Sequence, residues 1–288
     1  MTNSDFQRIS DVARGYCGLN LQQGKRELVS SRLERLVRLH ACDSFTSYLA
    51  LVSRTRTGPV FTEFIDTLTT NHTGFWREPA HFIYLLETIL RRHKSRIRVW
   101  SAGCATGEEP YTIGMCAREA GLINCRIVAS DISRSALHAA ASGRYDAAKL
   151  GDLPAGWTER YLSSPGLPGL GGGNTRVVSV SVRGMVDFAP VNLLEPFSRL
   201  GMFDVIFCRN VMISFDQSTR DGLGKTLVGV GTCVQATRRG TRDSRTRIRA
   251  ERVVRFRRRR SAAADLLPRV RTMAWVRRSC SNASRACW

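Results

Sequence analysis

The stretch RVWSAGCATGEEPY, residues 98–111, decides how the rest of the chain is read. Val99 and Trp100 make a short apolar strand, Ser101 to Gly107 a tight loop of small residues, and Glu108 and Glu109 the opening of a helix. Small residues let the backbone approach a ligand closely, because a Cβ at the tightest points would collide with it. Gly103 and Gly107 stand four apart, so the loop is neither the G-x-G-x-x-G dinucleotide fingerprint nor a Walker loop. Two carboxylates directly after the loop are unsuited to a phosphate and suited to a cationic group. A cofactor with an ammonium and a sulfonium but no phosphate fits, which points to S-adenosylmethionine. An ordinary strand-to-helix turn is the competing reading of this stretch taken alone.

Outward from that loop, helices and strands alternate. Pro79 to His93 reads as helix, Ile97 to Trp100 as strand, Glu109 to Ala120 as helix, Arg126 to Ser130 as strand, and Ser133 to Ser142 as a helix with Ser133 as its cap. Such alternation implies a parallel sheet with helices on both faces. Gly- and Pro-rich residues 165–173 interrupt it, and the alternating stretch Arg176 to Val186 reads as hairpin strands of a small antiparallel insertion, about 160–187. Phe203 to Cys208 returns to the parallel sheet.

Upstream, residues 1–70 read as a small helical bundle. Asp5 to Tyr16, Lys25 to His40, the segment after an Asp43 or Ser44 cap, and Val60 to Leu68 carry helical apolar spacing. Leu28, Val29, Leu33, Leu36 and Val37 are expected on the inner side of the second helix, with Arg32, Arg35 and Arg38 as a basic stripe. The expected fold class is therefore α/β: helical bundle 1–70, sheet domain 71–216, and a basic tail 217–288, read as disordered.

No apolar run reaches the length of a membrane span, and Met1 to Ser10 is polar, so neither a span nor a signal peptide is indicated. Nine cysteines without a C-x-x-C pair suit reduced thiols and a cytoplasmic location. Residues 217–288 hold 19 of the 44 Lys+Arg and 4 of the 24 Asp+Glu, so they carry +15 of the net +20 charge. The five histidines show no ligand spacing with Cys or carboxylates, which disfavours a metal enzyme.

Further blocks share the logic of the loop. Asn71 to Phe82 reads NHTGFWREPAHF, Ala129 to Ile132 ASDI, Asn192 to Glu195 NLLE, and Phe207 to Phe215 FCRNVMISF. Together with residues 98–111 these resemble the CheR family, S-adenosylmethionine-dependent methyltransferases of chemotaxis receptors. The resemblance implies a Rossmann-like class I methyltransferase domain behind a helical N-terminal domain. The implied reaction forms glutamate methyl esters on methyl-accepting chemotaxis receptors, recognised through acidic cytoplasmic helices. A monomer is expected, with no specific nucleic acid and no membrane insertion. The insertion resembles the family's small β-subdomain, which in some members grips a receptor tail peptide.

Ligands in an open parallel sheet sit beyond the carboxyl ends of the strands, where these blocks fall. Asp131 would accept both ribose hydroxyls; capping the next helix is its other reading. Glu109 would meet the methionine ammonium, with Glu108 as the second candidate. Asn192 and Leu193 resemble the family's adenine-side contacts, or simply form a turn. Arg209 and Asn210 end a strand at the same edge. Asn71 and Thr73 would touch the cofactor or shape the pocket. Arg77 is the catalytic candidate, because guanidinium can hold a carboxylate bidentately; pairing with Glu78 is the structural alternative. One departure sits inside a motif: Ser214 stands where the family has Tyr.

The motif resemblance stops near residue 216. The expected closing motifs of the sheet are absent and an arginine-rich segment follows, so the C-terminal strands are expected to be missing. A shifted reading frame or a fusion junction would produce such a tail. The alternatives to an active enzyme are an inactive CheR-like remnant and adventitious, salt-dependent nucleic-acid binding through the tail.

Overall fold

Thr2 and Asp5 begin the chain's first helix with a reciprocal capping box: the Asp5 amide donates to Thr2 Oγ1 at 3.1 Å and the Thr2 amide to Asp5 Oδ2 at 3.0 Å. The computed structural model describes residues 1–54, 58–90, 96–164 and 174–231, with the backbone of 233–236 and 248–250. Helix α1 (Asn3–Cys17) ends at left-handed Gly18. It packs with α2 (Arg26–Leu39), α3 (Phe45–Arg54) and α4 (Pro59–Leu68) around Phe6, Ile9, Leu33, Tyr48 and Phe64. Ser44 caps α3 by accepting from the Ser47 amide at 3.1 Å. Val29, Leu33 and Leu36 are buried in α2, but Leu28 is exposed. It lies about 100° around the helix from Val29, outside the inward face.

The α/β part opens with α5 (Pro79–Tyr84), which continues as a π-helical turn over Leu85–Ile89; residues 91–95, where the expected helix ran on, lie outside the described residues. Strand β1 (Ile97–Ala102), α6 (Glu108–Glu119), β2 (Cys125–Asp131) and α7 (Arg134–Ser142) follow. Ser133 caps α7, accepting from the Ala136 amide at 3.1 Å. Then come β3 (Arg144–Asp146), α8 (Trp157–Tyr161), β4 (Leu162–Ser163), β5 (Thr175–Val178), α9 (Val180–Arg183), β6 (Val186–Pro190) and β7 (Val205–Phe207). The chain closes with α10 (Gln217–Val230), β8 (Cys233–Ala236) and β9 (Ile248–Ala250).

The main sheet has the order β6-β2-β1-β7-β8-β9 and is parallel except for the antiparallel β8–β9 pair. Side chains alternate across it. Val99, Ile127, Val205 and Phe207 join the core on one face, and Trp100, Ala102 and Ile206 join that on the other. From β1 the chain first extends the sheet through β2 and β6, then returns to β1's other side with β7. That reversal leaves a crevice at the carboxyl ends of β1 and β7.

Two expectations need correction. The small antiparallel insertion is present as the sheet β3-β5-β4, but Arg176 to Val186 does not form a hairpin within it: β5 pairs antiparallel with β3 and β4, Val180–Arg183 forms one helical turn, and Val186 begins β6 in the main sheet. Alternation alone cannot distinguish a hairpin strand from an edge strand, and β6 is set by its parallel register on β2, Ile127 to Val186. The region beyond 216 also opens with structure rather than disorder. Asp216 caps α10 by accepting from the Thr219 amide at 2.9 Å, and Leu223 and Leu227, one turn apart, are buried. Beyond it, β8 and β9 pair onto the sheet where closing strands were expected to be missing. The loop 165–173 and the arginine-rich segment 251–288 lie outside the described residues. Among those described, no helix is long and apolar enough to cross a membrane.

Candidate active site

The carboxyl ends of the strands open into a cleft of about 980 Å³, its solvent-filled mouth included. All but one of the site candidates read from the sequence line it, the exception being Glu108. Asn71, Thr73 and Arg77 come from the segment between α4 and α5, and Glu109 from the first turn of α6. Asp131 ends β2, Asn192 and Leu193 follow β6, and Arg209 and Asn210 follow β7. The helical domain supplies a wall that sequence reasoning missed, Cys17 and Leu19, where Gly18 turns left-handed and packs beside Phe215 and Leu194. Asn192 ties the two parts together, its amide donating to the Tyr16 carbonyl at 2.7 Å. Asp66 of α4 does the same, its carboxylate accepting from the Arg134 and Ser135 amides at 3.0 Å each, at the positive end of α7.

The small-residue loop is a cradle. Gly103 has φ +81°, and a Cβ there would stand 2.1 Å from Val211 Cγ2 in the wall of the cleft. The amides of Gly103 and Cys104 donate to the Ser130 carbonyl at 2.7 and 2.9 Å, which welds the loop to the end of β2. Ala105, also left-handed at φ +47°, donates its amide to Asp131 Oδ2 at 2.8 Å, and Ser133 donates to Oδ1 at 2.9 Å. Replacing Gly103 with alanine is expected to cost about 2–4 kcal/mol, from overpacking against Val211 and left-handed strain together. A urea melt checks this, and an unchanged midpoint would contradict it.

Next to the loop lies a charged cluster. Glu109 accepts from Ser101 Oγ at 2.7 Å and from Arg209 Nη1 at 3.2 Å. Arg209 Nη2 reaches the Arg77 carbonyl and, at 3.2 Å, Glu78 Oε2, while its guanidinium lies over the Phe82 ring at 5.0 Å. Glu78 Oε1 accepts from Asn210 at 3.4 Å. Glu108 turns away from the cleft, accepting from Thr106 Oγ1 at 2.7 Å and pairing with Lys149 at 3.4 Å. That leaves Glu109 as the carboxylate facing the cleft. Arg77 does not pair with Glu78; its Nη1 donates to the His72 carbonyl at 2.7 Å and its side chain borders the cleft. Ser214 also borders it and donates its hydroxyl to the Val211 carbonyl at 2.8 Å.

Residues 71–229 match the model of the CheR methyltransferase SAM-binding domain, and residues 4–69 that of the CheR methyltransferase all-alpha domain. The chain belongs to the CheR methyltransferase family. A chemotaxis protein methyltransferase of Borreliella burgdorferi is 37% identical over 239 residues, spanning 77% of this chain and 82% of its own. Chemotaxis protein methyltransferase 2 of Pseudomonas aeruginosa is 39% identical over 238 residues, 80% of this chain and 82% of its own. The chemotaxis protein methyltransferase of Escherichia coli is 38% identical over 233 residues, 79% and 80% of the two chains. The CheR match takes in most of α10, past residue 216 where recognisable motifs end.

The CheR cofactor is S-adenosylmethionine, and the residues present fit it. Asp131 uses one lone pair of each oxygen on a backbone amide and keeps others for a pair of hydroxyls. Burial pushes the Glu109 carboxyl above its ordinary 4.5, despite Arg209 and Ser101. Burial likewise raises Asp131 above 3.8, despite the amides of Ser133, Ala105 and Ile132. Both carboxylates are thus short of partners, and an ammonium beside Glu109 would favour its ionised form. Because that ligand selects the deprotonated carboxylate, its affinity should climb as pH rises through the raised pKa values and then level off. Calorimetric titrations of S-adenosylhomocysteine across the acid range should show this climb, with a smaller one in Glu109→Gln. A flat wild-type profile would contradict it.

Proposed function

We propose that this chain methylates glutamate side chains of methyl-accepting chemotaxis receptors, giving glutamate methyl esters. The observation that carries the reading is the convergence of Glu109, Asp131 and Arg77 on one cleft whose floor is the glycine cradle. When bound, S-adenosylmethionine supplies a methyl group on a sulfonium, whose departure as a neutral sulfide needs no acid.

The work left to the protein is alignment and the exclusion of water. Glu109 holds the ammonium end and Asp131 the ribose hydroxyls, with Asn192 and Leu193 on the adenine side. Asn71 and Thr73 shape the side of the cleft nearest Arg77, and Arg209 and Asn210 close it beside Glu109. Arg77 holds the incoming receptor carboxylate, which is already ionised and nucleophilic at neutral pH, so no general base is required. Arg35 and Arg38, exposed on α2, suit docking of the receptor's acidic helices.

Mass spectrometry of a receptor cytoplasmic fragment incubated with the protein and S-adenosylmethionine tests the reading. Glutamates that gain the mass of one methylene and lose it in base support it; an unmodified fragment alongside cofactor binding would overturn it.

A further inference from the structure

Arg209 is shared by two carboxylates, and only one of them faces the cleft. Its side chain is 2% exposed, held by Glu109 on Nη1 and by Glu78 on Nη2. Glu78 spans two residues of the loop after β7, with Oε2 on Arg209 and Oε1 on Asn210. It does so from a left-handed backbone, φ +57°, two residues after Trp76 at φ +55°. Non-glycine residues adopt that conformation only where the surroundings enforce it. Here Pro79 starts α5 immediately afterwards, and Arg209 and Asn210 hold the carboxylate from across the fold. His81 Nδ1 stands 3.2 Å from Glu78 Oε2, and burial with the nearby Arg209 disfavours a charge on that ring.

Two carboxylates thus share the Arg209 guanidinium, and Arg77 acts on Glu109 more weakly than Glu78 does, so Glu109 is left incompletely compensated. Resting on the assignment of Glu109 to the cofactor's ammonium, we propose that Glu78 is a positioning residue that divides Arg209 and so keeps Glu109 negative towards that ammonium. Without Glu78, Arg209 and Glu109 form a self-neutralised pair, and the ammonium meets no net charge. Glu78's own charge acts the other way on Glu109, opposing its ionisation, but more weakly than Arg209 favours it.

The test compares two probes, S-adenosylhomocysteine and methylthioadenosine, which share the adenosine and the thioether and differ in the amino-acid end. In Glu78→Gln the preference for S-adenosylhomocysteine should fall roughly tenfold, the size of one charge-assisted contact. Methylthioadenosine binding should stay unchanged. Glu78→Asp, which keeps the charge, should retain the wild-type preference. Equal loss of both probes, an unchanged preference in Glu78→Gln, the same loss in Glu78→Asp, or a Glu78→Gln chain without a cooperative melt would each overturn the proposal. Failure of the wild-type protein to bind either probe would instead strike the cofactor assignment itself, and so is told apart.

Discussion

Replacing Arg209 with methionine is expected to lower the melting temperature by roughly 10 °C. The substitution keeps an apolar stem but removes the guanidinium, which lies over Phe82 and is the only cation hydrogen-bonded to Glu109 among the described residues. Breaking a buried ion pair from one side costs about 3–5 kcal/mol, because the remaining charge is stranded. In a domain of this size each kcal/mol moves the midpoint by about 2–4 °C. Most of the loss belongs to Glu109, whose side chain is 12% exposed; Glu78, at 39%, can turn to water and contributes little. Differential scanning calorimetry at neutral pH reads the effect, and Arg209→Lys should recover part of it. A midpoint unchanged in the methionine variant would mean that Ser101 alone satisfies Glu109.

The second large effect is on binding. Asp131→Ala should abolish the rise in melting temperature that S-adenosylhomocysteine gives the wild-type protein. Two hydroxyls on a charged acceptor are worth about 1.5–3 kcal/mol each, so affinity should fall at least about 100-fold. The variant also frees the amides of Ala105 and Ser133, which loosens the left-handed loop beside the ligand. Because a ligand stabilises only what it binds, a thermal titration separates the two effects. The apo midpoint reports the loosened loop, and its dependence on ligand concentration reports the lost contact. A variant that responds like the wild type would remove Asp131 from the site.

Much of this site was legible because its chemistry is local in the chain. A strand, a glycine cradle and two acids sit within fourteen consecutive residues, 98–111, and strand-end positions for Asp131, Arg209 and Asn210 follow from alternation alone. The sequence already preferred Glu109 to Glu108, and the fold supplies the reason. Neighbouring residues at a helix start point about 100° apart, and only the fold shows that Lys149 takes the one and Arg209 the other. Glu78 was visible only as a neighbour of Arg77, since a left-handed glutamate before a proline has no signature in composition or periodicity. The wall made by Cys17 and Leu19 depends on how the helical domain meets the loop after β6, a contact between residues about 175 positions apart.

The strands were harder for a related reason. The alternation of residues 176–186 suits a hairpin as well as it suits the elements found there, and pairing between distant segments decided the outcome. Past residue 216, one aspartate cap and two leucines suffice for α10 although its sequence is rich in glycine, which a composition-based reading discounts. For β8 and β9, the determinants are the exposed edge of β7 and backbone hydrogen bonds, which carry no side-chain pattern.

The account stands on one claim, that the cradle, Glu109 and Asp131 form a working S-adenosylmethionine site on this chain. Titration calorimetry of S-adenosylhomocysteine into the full-length protein tests it most directly. One saturable site per chain, weakened by acid and lost in Asp131→Ala, is the predicted result. No heat of binding from a sample that melts cooperatively would contradict it.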